Sequence, residues 1–259
     1  MNPSPSKPAA APPRHKSVGR GVADVLRELK TLADPRAVAG MRRFAIGGQL
    51  PLLGISVAKL RPLARRLGRD HELALALWNA GWHETRLLAA LIADPRQVTA
   101  RQMETWVKDF DSWDVCDGVC LHLFDRTPWA WRKAATWSGR RAEFVKRAGF
   151  VLMAVLAVHD QQAADEAFLP FLPMLVREAT DDRNFVKKAV NWALRQIGKR
   201  SEFLRCEALR TAAAIRALDC PAARWIARAA LREWKHHPPH RLKTTNRPGR
   251  RDRNVSGAS

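Results

Sequence analysis

The chain has 259 residues, 46% of them hydrophobic, and a formal net charge of +20. That is enough apolar material for a sizeable core, and the charge points to a polyanionic partner, nucleic acid before anionic membrane. No apolar run reaches a membrane span, no secretory signal opens the chain, and the four cysteines form no CxxC pair; this argues against membrane insertion, export and a zinc site.

Residues 1–20 are rich in Pro, Ala and Ser, carry four basic residues and no acid, and read as a disordered basic tail. Residues 237–259 read the same way. A folded body, 21–236, lies between them and is basic in its own right. Tyrosine is absent, and Ala, Leu and Arg dominate, so the body is expected to be all-α. Helical periodicity runs through 21–33, 56–67, 70–80, 83–93, 99–109, 112–125, 128–137, 141–158, 165–179, 182–199, 202–217 and 221–235, with Pro, Gly, Asp and Ser between. Two short repeats stand out. LADPRAVAG (32–40) recurs as IADPRQVTA (92–100), and FVKRA (144–148) as FVKKA (185–189), with an approximate third copy from 222. A period near 40 predicts a curved solenoid of HEAT-like helical pairs with a concave basic surface; an ordinary helical bundle is the alternative.

Read at helical spacing, Trp106, Phe110, Trp113, Asp117, Cys120 and Phe124 share one face, and only Asp117 is polar. A carboxylate there is costly to bury, so it is either paired and structural or used in chemistry. Gly118 follows it and suggests close packing against the backbone. Thr127-Pro128 reads as a helix start, with Thr127 as cap. The apolar segment 148–158 reads as a buried helix, preceded by Lys146 and Arg147, which are either a solvated charge run or phosphate ligands. In 181–200, Asp181 or Asp182 can cap the helix and Gly198 or a following residue can end it. Val186, Val190, Ala193 and Ile197 form a core stripe, while Lys188, Trp192, Arg195 and Lys199 form a basic one. An indole among cations suits a sugar-stacking, phosphate-tracking face, or else a half-buried tryptophan whose neighbours snorkel.

In MRRF…PLLGI…LRPLARRL, WHETRLLAALIAD, DSWDVCDGV, FVKRAGFVLMAVL and FVKKAVNWALRQIGK the chain resembles the HEAT-like-repeat alkylpurine DNA glycosylases of the AlkD type. The resemblance spans roughly residues 21–235, and the last three stretches are its specific part. It implies that Asp117 is the catalytic carboxylate, that Trp113 and Trp192 are the aromatics beside the sugar, and that Arg147 supports DNA binding. Two positions depart from the family pattern. Phe44 stands where an aromatic with a hydroxyl is common, close to the lesion, and Leu53 stands where an aromatic is common.

The implied activity is hydrolysis of the N-glycosidic bond of cationic N3- and N7-alkylated purines in duplex DNA, without a cofactor, a metal or a base-flipping pocket. Lys146, Lys188, Arg195 and Lys199 join Arg147 as expected DNA contacts. A monomer in the cytoplasm, associated with the nucleoid through DNA, is expected. The alternatives are a non-catalytic HEAT-repeat protein that binds damaged or branched DNA, and a scaffold for an acidic protein.

Overall fold

Among the residues described by the computed structural model, 21–236, thirteen α-helices form and there is no strand. They are α1 (Val22–Thr31), α2 (Pro35–Arg43), α3 (Val57–Leu67), α4 (His71–Trp78), α5 (His83–Ile92), α6 (Ala100–Lys108), α7 (Trp113–His122), α8 (Ala130–Ser138), α9 (Glu143–His159), α10 (Phe171–Glu178), α11 (Asn184–Arg200), α12 (Glu202–Arg216) and α13 (Pro221–His236). The all-α expectation holds. The two basic tails lie outside the described residues.

The body comprises two compact units: residues up to 99 together with 111–123, and residues 100–110 together with those from 124 onward. In the first unit α5 packs against α3, α4 and α7, and α4 also touches α1. In the second, α9, α11 and α13 pack side by side as one row, and α8, α10 and α12 as another, with α8 on α9 and α12 on both α11 and α13. The near-40 repeat is visible here. Phe144 and Phe185, from its two copies, each hold the second position of a 17-residue helix, and their ring centroids lie 5.3 Å apart.

The centre of the second unit is α9, in which every residue from Ala148 to Ala157 is buried. Such burial on all sides explains its lack of a polar face. Gly149 lets α8 come close: a Cβ there would sit 2.4 Å from the Ser138 backbone nitrogen. Gly149→Ala is therefore expected to push α8 and α9 apart and cost about 2 kcal/mol. Thermal unfolding should show the loss as a drop of about 4–8 °C; an unchanged midpoint would mean that the contact relaxes freely.

Several expectations need correction. Residues 165–179 form a 3-10 turn, Asp165–Phe168, and then the separate helix α10. The apolar stripe from Trp106 to Phe124 is not one helix face, because α6 ends at Lys108 and α7 starts at Trp113. Trp106, Phe110 and Trp137 instead surround Phe124 in the aromatic core of the second unit, with centroids 6.0–6.3 Å from its ring. Thr127 caps nothing; its hydroxyl donates to the Phe124 carbonyl at 2.8 Å, and α8 starts at Ala130. At α11 the N-cap is Arg183, and Asp181 binds the Arg183 side chain instead. Of the two expected ends of α11, Gly198 lies inside the helix and a following residue ends it, with Arg200 last and Ser201 as C-cap. The predicted core stripe of α11, Val186, Val190, Ala193 and Ile197, is fully buried.

Candidate functional site

The segment between α2 and α3, residues 44–56, has few apolar side chains facing inward and is held through its backbone. Glu84, fully buried in the first turn of α5, accepts the amides of Leu53, Gly54 and Ile55 at 3.0, 2.8 and 3.1 Å. Asp111 accepts the Gln49 amide at 2.7 Å, and Ser112 Oγ accepts that of Gly47 at 3.2 Å. Gly48 makes the approach of Asp111 possible: its φ is +47°, and a Cβ would meet the Asp111 carboxyl at 2.2 Å. The same anchor continues into α7. Ser112 Oγ donates to Asp114, and Asp114 Oδ2 lies 2.7 Å from Nε2 of the buried His83.

This network fixes the start of α7, where Trp113 is the first residue. Its indole N–H donates to the Phe44 carbonyl at 2.8 Å. The Phe44 ring itself is 70% exposed, beside the exposed Arg42 and Arg43. Asp117 lies one helical turn beyond Trp113, on the same side of α7, and is half-buried. Gly118 is indeed approached closely: a Cβ at this position would sit 3.0 Å from Leu87 Cδ2. The first unit thus brings together Phe44, Trp113 and Asp117: an exposed ring, an indole locked in orientation, and a carboxylate. Leu53 is buried and contributes its amide to Glu84.

Trp192, Lys188, Arg195 and Lys199 belong to the second unit. Trp192, Lys188 and Arg195 line an open cleft of about 510 Å³ between α11 and α13, together with Trp225, Arg232 and Glu233. Arg195 and Lys199 both bind Glu233, so their charge is partly neutralised in place. Burial, followed by the nearby charges of Arg195 and Arg205, pushes Lys199 below the usual lysine range. The exposed cations of the cleft are Lys188 and Arg232, and Lys187 covers the half-exposed Trp225 ring at 5.5 Å. Arg232 and Trp225 are parts of this surface that sequence spacing within α11 could not supply.

Arg147 and Lys146 lie apart from that cleft. Arg147 is 6% exposed and donates to the Phe185 carbonyl at 2.6 Å, tying α9 to the first turn of α11. Lys146 is bound by Glu178 at 2.5 Å and Asp181 at 3.0 Å. Hydrogen bonding from Arg183, opposed by burial and aided by Lys146, holds Asp181 at a pKa of about 2, below its ordinary 3.8. A carboxylate depressed in the folded state stabilises above its ordinary pKa, and that stabilisation is lost as the pH falls through the folded value. Asp181→Asn is therefore expected to lower the urea midpoint at neutral pH, with the gap to the parent closing between about pH 5 and pH 2. A gap that stays constant over this range would remove Asp181 from the acid limb.

Among the described residues no group of three or more His, Cys, Asp or Glu is arranged to hold a metal ion. No described helix is long and apolar enough to cross a membrane.

Comparison with known proteins gives three kinds of match. A family model described as DNA alkylation repair enzyme matches residues 25–234. The uncharacterized protein Lmo0209 of Listeria monocytogenes serovar 1/2a is 25% identical over 126 residues, 48% of this chain and 56% of that protein. Lin0241, an uncharacterized protein of Listeria innocua serovar 6a, is 31% identical over 81 residues, 30% of this chain and 36% of that one. The chain thus spans little more than half the length of the first of these relatives and about a third of the second. A solved structure described as "a new family of proteins related to the HEAT-like repeat DNA glycosylases with affinity for branched DNA structures" aligns with a TM-score of 0.69 and 20% identity, over 83% of this chain and 95% of that chain. The structural likeness gives the fold: a HEAT-like array of helical repeats.

Proposed function

The chain belongs to the DNA alkylation repair enzyme family, and from that premise we propose that it is a DNA glycosylase acting on cationic N3- and N7-alkylated purines in duplex DNA. The observation that carries this reading is Asp117, a half-buried carboxylate one turn from an indole whose N–H is pinned to the Phe44 carbonyl. An alkylated purine is already positively charged and leaves readily. As the C1′–N bond lengthens, its electron pair moves to the base, which becomes neutral, and positive charge develops on the deoxyribose. A carboxylate beside that sugar stabilises the charge most when the bond is nearly broken. It also orients a water for attack at C1′ and accepts the proton that the water loses. The products are a free neutral alkylpurine and an abasic site. The face of Trp113 suits a cationic sugar through its ring quadrupole, and shielding by the indole strengthens the carboxylate field.

On the second unit, Lys188, Trp192 and Arg232 are proposed to meet the DNA backbone, with Trp192 offering its ring to a deoxyribose. Arg195 and Lys199 shape that cleft through Glu233, and Arg147 holds the start of α11, the helix that carries Lys188 and Trp192. Phosphate contacts of this kind position a duplex without reading its sequence. The exposed Phe44 ring is the proposed lesion-side contact of the first unit.

The decisive experiment is release of 7-methylguanine from methylated duplex DNA by the purified chain. A second reading, a non-catalytic DNA-binding protein, is supported by the neighbour of like fold described as having affinity for branched DNA structures. It predicts salt-dependent DNA binding with no base released.

A further inference from the structure

Helix α13 carries a second cationic face. One face borders the Trp192 cleft; an adjacent face lines a larger open groove of about 970 Å³ between α12 and α13. Six basic side chains line that groove: Arg205, Arg216, Arg224, Arg228, Arg232 and Lys235. No carboxylate lines it among the described residues. Its floor is apolar, with Leu231 half-buried and Leu209 42% exposed. Arg205 is committed locally, stacked 5.0 Å from the Trp234 ring centroid and donating to the Gly198 carbonyl. Arg216 and Arg228 are exposed, and Arg224 is held by Asp219, whose side chain is 91% exposed.

Lining up so many like charges costs self-repulsion unless an anion neutralises them. The candidates within the chain have the wrong sign. Residues 237–259 carry six basic residues against one acid, and a second copy brings another +20. The occupant must therefore be a different, anionic molecule. Arg224, Arg228 and Arg232 recur every fourth residue, which sets them about 6 Å apart along the helix axis. That step is close to the spacing of consecutive phosphates on a nucleic-acid strand. Guanidinium groups match phosphate oxygens two at a time, and the leucine floor can take the apolar edges of sugars.

We infer that the groove between α12 and α13 is a second DNA-backbone site, adjoining the Trp192 cleft and sharing only Arg232 with it, so that one molecule holds two duplex segments. The inference goes beyond the glycosylase reading, and its test reads no base release. A short unmodified duplex is fixed to a biosensor surface, the full chain is loaded, and a second labelled duplex is then offered. The parent captures the second duplex, and rising salt weakens the capture. The triple variant Arg216→Glu, Arg224→Glu, Arg228→Glu loads onto the fixed duplex as the parent does but captures at least about tenfold less of the second, because three phosphate contacts are lost. Circular dichroism confirms the fold of the variant. Three results overturn the inference: no capture by the parent, undiminished capture by the variant, or equal loss of loading and capture. So does capture of an acidic peptide in preference to the duplex, which would make the groove a protein-docking site.

Discussion

Replacement of Asp117 by asparagine is expected to slow the release of 7-methylguanine by about 10²–10³-fold, equivalent to about 3–4 kcal/mol of transition-state stabilisation. Duplex affinity should stay within about twofold, because a carboxylate facing DNA contributes nothing to phosphate binding and its removal relieves repulsion. The substitution keeps the size and shape of the side chain, so packing in α7 against Leu87 and the buried Val115, Cys116 and Val119 is preserved. What changes is charge. A neutral amide cannot stabilise the cationic sugar to the same degree, nor take a proton from the attacking water. The loss should therefore appear in the single-turnover rate at saturating enzyme rather than in the binding constant. Parent-like release by Asp117→Asn would end the catalytic assignment; loss of binding in step with release would make Asp117 a structural residue.

The parts of this molecule that were legible in the sequence are those whose signal is a side-chain pattern. Helix α9 has an unbroken apolar run, buried from Ala148 to Ala157; α11 shows its core stripe and its basic stripe at the expected spacing. Asp117 stood out because it interrupts an apolar series. Helix α2 buries no residue, so it has no apolar stripe to reveal it in the sequence. The break between α6 and α7 matches the gap between segments 99–109 and 112–125, but the apolar spacing continues across it and makes Trp106–Phe124 look like one face. The chain turns there because Asp111 and Ser112 are recruited by backbone amides of residues 47–49. Backbone donors leave no trace in a sequence. The same is true of Glu84, whose three partners are amides about thirty residues upstream. Glu233, which binds Arg195 and Lys199 from α13, belongs to another helix altogether and is invisible to spacing within α11.

Glu84 carries the largest expected effect on stability. Its carboxylate is fully buried and accepts three consecutive amides. Glu84→Ala would leave those donors in the interior with no acceptor, at about 1–3 kcal/mol for each one not rescued by water. A total near ~4 kcal/mol lies at the upper end of single-residue effects and corresponds to a fall in the thermal midpoint of about 8–16 °C for a body of this size. Glu84→Gln keeps one acceptor oxygen but turns an NH₂ group toward the amides, so it should fall between the parent and the alanine variant. The consequence for function follows from the path of the chain. Residues 53–55 anchor the segment that begins at Phe44, and the Phe44 carbonyl holds the Trp113 indole. Loosening the anchor should therefore reduce base release even below the unfolding temperature, while the Lys188–Trp192 cleft, which lies in the other unit, keeps its contacts. An alanine variant with a parental midpoint and parental base release would show that the amides find other partners, and that the orientation of Trp113 does not depend on Glu84.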